Sequence, residues 1–389
     1  MKVVDVAEFY ADQGGGVKTY INQKLRAGAE RGHEVVVIAP GPEDKEEERH
    51  GGRILWLKGP EFFLDPRYYI LRTQARVHEL LDAERPDVVE GSSPWRGGRY
   101  AGRWRGDAFK VFIFHQDPVA VYPETLLGGA LGLDRVNSLF SPYWRYLKGF
   151  SEQYDATVVA GHWLAAKTKK FGLQDPVAIP FGIEKQHFSP TRRSDDVRRR
   201  WLDACGVPTD MPLLVTVSRF HPEKRMGTLI NAVKQAQKQT PFAWVIFGGG
   251  PLEGWIKRKV APMERCHVAG YTKNRDELAD AMAAGDGFLH GSAAETFGLV
   301  VAEAMCSGLP LIVPDVGGAA DLASPAYAEI YRTGDAAACS DAILRLLGRD
   351  GGSLRGAVAE AGANDVRTVD QHFDALFAFY ESRVAAKRG

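Results

Sequence analysis

The chain has 389 residues, and its length, composition and charge exclude several classes of protein. A single compact core rarely extends this far, so we expect two domains of about 150 to 200 residues each. Lys and Arg together number 49, as do Asp and Glu, so no overall positive charge favours nucleic acid, and we expect no nucleic-acid partner. Hydrophobic residues make up 45% of the chain and charged residues 25%, which is typical of a globular protein.

The cysteines and the first residues bear on the cellular compartment. The cysteines, at positions 205, 266, 306 and 339, form no CxxC pair, so we expect neither a disulfide framework nor a zinc site, and a reducing cytoplasm fits best. The opening MKVVDVAEFY has an acid within its apolar run and is not expected to be a signal peptide. No apolar run reaches the roughly 18 residues that a membrane span requires. The sequence therefore predicts a cytoplasmic protein.

Short β-branched runs alternate with longer helical patterns such as Val17–Arg31 and Ile70–Glu84. The predicted strands, in chain order, are Val3–Val6, Glu34–Ile38, Val88–Val89, Val111–Phe114, Ala156–Val159, Val177–Ile179, Leu213–Val217, Phe242–Phe247, Gly287–His290 and Pro310–Val313. Alternation of this kind predicts parallel sheets with helices on both faces. Because the alternation starts again near residue 213, we predict an α/β protein with two Rossmann-like, doubly wound domains.

The predicted boundaries follow from the same pattern. Residues 1–186 form the first domain, residues 187–365 the second, and residues 366–389 a terminal helix. The polar stretch Glu184–Arg200 is predicted to be the interdomain linker. Five apolar residues of the terminal helix recur every three or four positions and need a surface to pack against, namely Val369, Phe373, Leu376, Phe377 and Tyr380.

A glycine run, Gln13-Gly14-Gly15-Gly16-Val17, follows the first strand and precedes a helix. Glycines at this position let backbone N–H groups approach an anion, to which the helix N-terminus adds a partial positive charge. The run matches neither GxGxxG nor a P-loop. A plain tight turn remains an equal alternative.

His115 ends a very apolar strand, at the edge where ligands of parallel sheets bind. A histidine there can donate a hydrogen bond to a sugar hydroxyl or a phosphate oxygen. The alternative is a histidine satisfied within the core.

The segment Thr216–Arg225 also follows a strand and precedes a helix. Arg219 and Lys224 lie five residues apart across a turn that Pro222 restricts. Two cations in this position can clamp a diphosphate and neutralise the charge of a leaving group. The alternative is a surface turn with scattered charges.

The most informative segment, Gly291–Gly308, carries two carboxylates in a Glu-x7-Glu pattern. Glu295 is predicted in a loop, whereas Glu303 falls within the following helix among apolar neighbours, where an unpaired carboxylate is costly. Two ribose hydroxyls would satisfy Glu303, and a structural salt bridge is the rival explanation. Near the predicted helix N-terminus, the backbone N–H groups of Phe297, Gly298 and Leu299 are available for phosphate oxygens.

Together these motifs resemble the retaining glycosyltransferases of family 4, which have the GT-B fold. The resembling features are Arg219-x4-Lys224, Glu295-x7-Glu303, Asp315-Val316-Gly317-Gly318, Gly15-Gly16-Val17, His115 and the segment Ile179–Ile183. The resemblance covers nearly the whole chain. It implies two domains that face each other across a cleft, with the nucleotide on the C-terminal domain and the acceptor on the N-terminal domain. The terminal helix would cross back to the N-terminal domain.

The resemblance also implies the role of each site residue. Arg219 and Lys224 would hold the diphosphate, Glu303 the ribose and Glu295 the donor-sugar hydroxyls. The remaining implied binding residues are Gly15 and Gly16 for the phosphate or donor sugar, Tyr271 and Thr272 for the base, and Phe297, Gly298 and Leu299 for the phosphates. The co-substrate is a nucleotide diphosphate sugar, and we expect no cofactor and no metal.

The mechanism implied is attack on the front face of the donor sugar, with the leaving phosphate taking the acceptor proton. Arg219 and Lys224 would then replace a metal ion in stabilising charge. Two positions depart from the family pattern: Phe181 replaces a common Asn, and Asp321 replaces a common Glu. Both departures leave the donor open between GDP-mannose and a UDP-hexose.

The acceptor is a hydroxyl of a glycan, a glycolipid or a polysaccharide precursor. Aromatic residues at 62–69 and 118–150, interspersed with basic ones, suit a surface at the lipid headgroup level, so peripheral contact with the inner face of a membrane is one hypothesis. Packing inside the N-terminal domain explains them equally well. Two other functions stay open: a nucleotide-sugar epimerase and a catalytically silent scaffold that binds nucleotide sugars.

Overall fold

The computed structural model describes residues 1–11, 16–63 and 65–389. It divides into two compact units. Unit 1 comprises Met1–Gln116, Phe140–Pro180 and Val369–Gly389, and unit 2 comprises Asp117–Leu139 and Phe181–Thr368.

The strands lie close to the predicted runs, with additional strands between them. Their bounds are β1 Lys2–Val6, β2 Glu34–Gly41, β3 Lys45–Arg49, β4 Gly52–Lys58, β5 Glu61–Phe62, β6 Asp65–Tyr69, β7 Val88–Gly91, β8 Phe109–Phe114, β9 Ala156–Val159, β10 Pro176–Ala178, β11 Gly182–Ile183, β12 Leu213–Val217, β13 Ala243–Phe247, β14 Cys266–Gly270, β15 Gly287–Leu289, β16 Leu311–Pro314, β17 Ala328–Tyr331 and β18 Arg367–Thr368.

The helices fill the intervals between strands. Their bounds are α1 Gly16–Glu30, α2 Gln74–Glu84, α3 Arg96–Arg103, α4 Thr125–Leu131, α5 Leu133–Leu139, α6 Ser141–Ser151, α7 His162–Lys170, α8 Asp195–Ala204, α9 Met226–Ala236, α10 Glu253–Val260, α11 Arg275–Ala284, α12 Leu299–Cys306, α13 Gly318–Asp321, α14 Ala336–Leu347, α15 Gly351–Asn364 and α16 Val369–Arg388.

The sheet of unit 1 has the order β10-β9-β8-β7-β1-β2-β4-β3, and its neighbours are parallel except β3 and β4. Because successive side chains of a strand point to opposite faces, Val3 and Val4 enter different hydrophobic clusters. Burial on both faces explains why these strands appear in the sequence as apolar runs rather than alternating ones.

The sheet of unit 2 has the order β14-β13-β12-β15-β16-β17 with parallel neighbours throughout. In chain order this is 3-2-1-4-5-6, the arrangement of a Rossmann sheet. The order reverses between β12 and β15, and ligands of such sheets bind beyond the carboxyl ends of the strands at this reversal. The fold thus directs attention to the loops that follow β12 and β15.

The terminal helix α16 packs within unit 1. Phe373, Leu376, Phe377 and Tyr380 are each at most 2% exposed and join the cluster that contains Val3 and Val35. The three- and four-residue spacing seen in the sequence therefore corresponds to one buried stripe.

The stretch Glu184–Arg200, predicted as the interdomain linker, contains secondary structure in its second half. A 3₁₀ turn at Pro190–Arg192 leads into α8, whose Trp201 and Leu202 are buried in unit 2. The charges that suggested a solvated linker pair instead with α11, since Arg192 Nε lies 2.7 Å from an Asp280 carboxylate oxygen. The segment Asp117–Leu139, assigned to the N-terminal domain from the sequence, groups with unit 2.

A buried ionic cluster lies at the centre of unit 1. The β1–β7 register places Asp5 opposite Glu90, and Lys24 of α1 contacts both carboxylates. All three side chains are at most 1% exposed. Tyr380 of α16 donates a hydrogen bond of 3.0 Å to the second oxygen of Glu90, so the cluster attaches the terminal helix to the sheet. Within the described part of the chain, the helices are too short or too polar to cross a membrane.

Candidate functional site

The loops after β12 and β15 bring Lys224 and Glu295 together at the reversal of strand order in unit 2. Lys224 Nζ lies 2.5 Å from Glu295 Oε1, although the two residues are 71 positions apart in the chain. Their side chains are 14% and 18% exposed, so the pair is shielded but accessible. The two halves of the predicted site therefore meet without a ligand.

The turn that carries Lys224 is determined locally. Pro222 begins a 3₁₀ turn that ends at Lys224, since the fixed φ of proline suits the first position of a helical turn. Arg225 then adopts φ +49°, in the left-handed region, and is the N-cap of α9. This abrupt change of direction leaves Lys224 at the edge of the sheet.

The loop that carries Glu295 is shaped by Gly317 and Gly318. A Cβ at Gly318 would lie 2.6 Å from the backbone of Phe297. The backbone N–H of Gly318 donates a 2.7 Å hydrogen bond to the Glu295 carbonyl. Gly317 has φ +95°, and a Cβ there would lie 2.6 Å from the Ala293 carbonyl oxygen. Only glycines permit this approach, which accounts for the Gly-Gly turn seen in the sequence.

The charge of Glu295 depends on its neighbours. Burial alone would raise its pKa, but the charge of Lys224, the electrostatic effect of His290 and hydrogen bonds from Lys224 and Ser292 outweigh burial and lower the pKa below its usual value. Glu295 is therefore an ionised acceptor at neutral pH, suited to hydroxyl donors.

Arg219 follows the same strand as Lys224 but points into solvent. Its side chain is 76% exposed, and its guanidinium lies 3.8 Å from a Glu223 carboxylate oxygen. The structure thus brings Lys224, but not Arg219, into contact with Glu295 before any ligand is present. An exposed guanidinium keeps its donors available for phosphate oxygens.

Helix α12 begins next to Glu295 and carries Glu303. Gly298 is its N-cap with φ +93°, Leu299 is its first residue, and the buried ring of Phe297 packs edge-on against Phe181. Residues 297–299 therefore lie at the start of a helix, and their binding of phosphate oxygens stays a prediction.

Glu303 has a protein partner that the sequence did not indicate. An Arg275 guanidinium nitrogen lies 3.6 Å from Glu303 Oε1, and another lies 3.3 Å from Glu184 Oε2. Burial raises the pKa of Glu303 to about 7, which Arg275 opposes and the negative charge of Glu184 reinforces. The salt bridge that the sequence analysis gave as the alternative is therefore present, because Arg275 partly compensates Glu303. Ribose binding by Glu303 stays a prediction.

Tyr271 and Thr272 follow β14 at the same edge of the sheet. Tyr271 is 71% exposed, and the Thr272 hydroxyl accepts a hydrogen bond from the Asn274 N–H at 3.0 Å. Neither residue is committed to the core, which suits the base contacts expected of them.

Sequence reasoning missed the glycine loop at 248–250, which follows β13. Gly248 has φ +142°, and a Cβ there would lie 1.8 Å from the Ser218 carbonyl oxygen, so this loop lies against the loop that carries Arg219. A Cβ at Gly249 would be 3.1 Å from the Tyr271 Cβ. The available signal was three consecutive glycines directly after a buried strand.

The site residues predicted near the N-terminus belong to unit 1. Gly16 is the first residue of α1, and Gly15 lies outside the described residues. His115 directly follows β8, with its ring centroid 5.3 Å from that of Tyr20. Burial, together with the electrostatic effect of His372 and the positive charge of Lys24, lowers the pKa of His115 to about 3, so its imidazole is neutral at physiological pH.

No group of three or more His, Cys, Asp or Glu side chains within residues 1–11, 16–63 and 65–389 has an arrangement that could hold a metal ion. Metal independence remains a prediction.

Comparison with known proteins gives the family of the chain. The protein-family model described as "Glycosyltransferase Family 4" matches residues 14–187, and the family model described as "Glycosyl transferases group 1" matches residues 211–349. The chain is 30% identical over 343 residues to a GDP-mannose-dependent alpha-mannosyltransferase of Mycobacterium tuberculosis, covering 86% of this chain and 83% of the relative. It is 29% identical over 354 residues to a GDP-mannose-dependent alpha-(1-6)-phosphatidylinositol dimannoside mannosyltransferase of the same species, with 88% and 84% coverage.

Among solved structures, sucrose-phosphate synthase from Thermosynechococcus elongatus matches with a TM-score of 0.72 and 21% identity, over 99% of this chain and all of that one. The fold is therefore GT-B. The chain belongs to the glycosyltransferase family 4, group 1. It is a hexosyltransferase that uses a nucleotide sugar.

Proposed function

We propose that this enzyme transfers mannose from GDP-mannose to a hydroxyl of a lipid-linked glycan, with retention of configuration. The observation that carries the proposal is the Lys224–Glu295 pair at the reversal of strand order in unit 2. The names of both curated relatives support mannose as the sugar and GDP as the carrier.

In this proposal the donor lies on unit 2. The diphosphate binds Lys224 and Arg219, since one is positioned at the edge of the sheet and the other has a free guanidinium face. Glu303 accepts hydrogen bonds from the ribose, and ionised Glu295 accepts them from the mannose hydroxyls. Tyr271 and Thr272 contact the base.

The proposed reaction needs no metal ion. The acceptor oxygen forms a bond to the anomeric carbon on the face that the diphosphate leaves, and the bond from that carbon to the phosphate oxygen breaks. The acceptor proton moves to the leaving phosphate, whose charge Lys224 and Arg219 stabilise. His115 is neutral at physiological pH, so its imidazole N–H can donate to a sugar hydroxyl without adding charge.

A membrane-bound acceptor is favoured by apolar side chains in the segment Asp117–Leu139. Tyr122, Leu126 and Leu139 are 62%, 73% and 62% exposed, whereas Trp144 and Phe150, predicted with them, are buried in unit 1. Exposed apolar residues of this kind suit peripheral contact with the cytoplasmic face of a membrane. Flotation with anionic phosphatidylinositol vesicles is expected to carry the protein, and Leu126→Ser with Leu139→Ser is expected to release it.

Calorimetry with GDP, UDP and ADP tests the donor. GDP is expected to bind at least tenfold more tightly than the other two, and GDP-mannose is expected to yield an α-mannoside with a phosphatidylinositol mannoside acceptor in the presence of EDTA. Selective UDP binding would indicate that the donor is a UDP-hexose instead of GDP-mannose. Loss of activity in EDTA would overturn the metal-free mechanism. Conversion of the donor without any acceptor would favour an epimerase, and binding without turnover a scaffold.

A further inference from the structure

His372 of the terminal helix α16 forms two hydrogen bonds inside unit 1. Its side chain is 3% exposed. Its Nδ1 atom lies 2.8 Å from the Pro180 carbonyl oxygen, and its Nε2 atom lies 3.1 Å from the Tyr20 hydroxyl oxygen. Both partners belong to unit 1, as α16 does. His372 therefore links the terminal helix to helix α1, which carries Tyr20, and to the segment that follows β10.

The chemistry of the two partners assigns the protons of this small network. A carbonyl oxygen only accepts hydrogen bonds, so Nδ1 of His372 carries a proton and donates it to Pro180. In the neutral imidazole, Nε2 is then an acceptor, and the Tyr20 hydroxyl donates to it. Burial, opposed by the charge of Lys24, raises the pKa of Tyr20 above its ordinary value, so the hydroxyl keeps its proton.

The orientation of the Tyr20 ring is determined by two consecutive residues of α16. The hydroxyl of Tyr20 is bonded to His372, and the centroid of its ring lies 5.6 Å from that of Phe373. Phe373 is fully buried in the core cluster that contains Val3. Because α16 contacts both the hydroxyl and the ring, Tyr20 cannot rotate without breaking one of these contacts.

Tyr20 in turn packs against His115, which the proposed function places beside a sugar hydroxyl. The two ring centroids lie 5.3 Å apart with 68° between the planes, an edge-to-face contact. His372 is also close enough to lower the pKa of His115 through its electrostatic effect. A continuous series of contacts therefore leads from α16 through Tyr20 to His115.

We infer that His372 and Tyr20 are positioning residues that hold the His115 imidazole in the orientation from which it donates to a sugar hydroxyl. A neutral imidazole has a single N–H, so the direction of its hydrogen bond depends entirely on the orientation of the ring. The terminal helix is then part of the catalytic arrangement as well as of the core. This inference rests on the proposed role of His115.

The first test compares His372→Asn with His372→Gln. An Asn amide reaches about as far as Nδ1 and keeps the donor to Pro180, whereas a Gln amide reaches about as far as Nε2 and keeps an acceptor for Tyr20. Mannose transfer from GDP-mannose to a phosphatidylinositol mannoside is the assay. We expect kcat to fall roughly three- to tenfold in His372→Asn, since the neutral hydrogen bond that orients Tyr20 is lost, and to recover in His372→Gln.

The affinity for GDP separates positioning from a general loss of structure. GDP is expected to bind each variant within about twofold of the wild type, because the proposed donor site lies on unit 2. An equal loss of kcat in both variants, no loss in either, or a parallel loss of GDP affinity would overturn the inference.

A double variant tests whether His372 acts through Tyr20. Tyr20→Phe keeps the ring and removes the hydroxyl, so the pair Tyr20→Phe and His372→Asn is expected to lose no more kcat than either single variant. Losses that multiply in the double variant would show that the two residues act independently and would overturn the inference.

Phe379→Leu is the control for loosening of the terminal helix. It removes another ring of α16, one whose centroid lies 5.9 Å from that of Phe109, and leaves Tyr20 untouched. We expect it to keep kcat within about twofold of the wild type. A loss as large as that of His372→Asn would show that any loosening of α16 lowers activity, and would contradict a specific role of His372.

A second test needs no substrate. With ¹³Cε1-labelled histidine, NMR identifies the His115 signal as the one of ten that is absent from His115→Gln. This signal is expected to shift in Tyr20→Phe and in His372→Asn but not in Phe379→Leu, because the orientation of the His115 ring relative to Tyr20 changes only in the first two. A His115 signal that stays unchanged in those two variants would overturn the inference.

The proposed function and this inference fail in different ways. If the wild type uses a UDP-hexose, the proposed donor is wrong, and the same comparison of kcat with that donor tests His372 and Tyr20. If the wild type transfers mannose and His115→Gln keeps full activity, the function stands and the inference is overturned. If the wild type transfers no sugar from any nucleotide, both are overturned.

Discussion

Two lysines, Lys24 of unit 1 and Lys224 of unit 2, each contact a carboxylate oxygen at 2.5 Å, but their surroundings differ. Lys24 is 1% exposed and faces two carboxylates, Asp5 and Glu90, whose remaining oxygens accept from Ser92 and Tyr380. Burial alone would lower the pKa of Lys24, but the two carboxylates raise it above its usual value. The residues named in this cluster all belong to unit 1.

The Lys224 side chain is 14% exposed and faces one carboxylate, that of Glu295. The Nε2 atom of His290 lies 3.6 Å from the same Glu295 oxygen. The first cluster attaches helices to a sheet, whereas in the second cluster both side chains stay partly accessible to a ligand. The number of hydrogen-bond positions left open, more than the length of the ion pair, separates a structural group from a substrate-binding one.

The largest effect is expected from Lys24→Met. Removal of the ammonium leaves Asp5 and Glu90 facing each other without a cation in a buried site, which costs about 3–5 kcal/mol of unfolding free energy. Urea denaturation followed by circular dichroism measures the loss. Lys58→Met, at an exposed position of unit 1, is the control and is expected to change stability by less than about 0.5 kcal/mol. Equal stability of the two variants would remove the distinction drawn between the lysines.

Lys224→Met is expected to affect catalysis more than folding. The loss of a preorganised cation at the leaving phosphate lowers kcat by roughly 10²–10³-fold, while the unfolding free energy changes less than in Lys24→Met because water reaches Glu295. Steady-state assays and urea denaturation of the same preparations measure both quantities. The control is Lys234→Met on the exposed face of α9, which is expected to keep full activity.

Glu303→Gln is expected to separate nucleotide binding from stability. Replacement of an ionised acceptor by an amide weakens GDP binding by roughly ten- to a hundredfold at pH 8, measured by calorimetry. Because wild-type Glu303 has a pKa of about 7, GDP affinity should rise with pH through 7, and the variant should lack this component. Asp276→Asn, on an exposed residue beside Arg275, controls for the charge change.

The same substitution is expected to stabilise the nucleotide-free protein at high pH. Folding raises the Glu303 pKa, so its contribution to stability is present below its unfolded pKa near 4.5 and is lost as pH rises through 7. Glu303→Gln does not ionise and escapes this loss. A variant less stable than wild type at pH 8 would contradict the assignment of a raised pKa.

The smallest effect is expected from Tyr380→Phe, which removes one donor from Glu90 but leaves Lys24 in place. A loss of about 1.5 kcal/mol follows from one hydrogen bond to a charged group. Thermal denaturation measures it against Tyr122→Phe, whose side chain is 62% exposed and whose stability should match the wild type. A loss as large as that of Lys24→Met would indicate that α16 is held chiefly by this hydroxyl.

The sequence alone predicted the two doubly wound sheets and the motifs that lie around the Lys224–Glu295 pair. Buried parallel strands appear as apolar runs, and Pro222, Gly298, Gly317 and Gly318 specify turns through their own backbone preferences. Such local signals need no knowledge of the rest of the chain. They do not reveal the distant partner of a charged residue. Arg192 is an example, since it pairs with Asp280 of α11.

What the tertiary structure decided is which polar groups meet. Asp5 and Glu90 lie in separate strands, and only the adjacency of β1 and β7 makes them neighbours that require Lys24. His290 appeared in the sequence as the end of a strand, and only the approach of the loop at 293–298 to Gly317 and Gly318 places Glu295 beside it. Residue type and spacing determine the turns and the strands, whereas pairing between residues far apart in sequence depends on strand order and register, which the packing of the whole sheet sets.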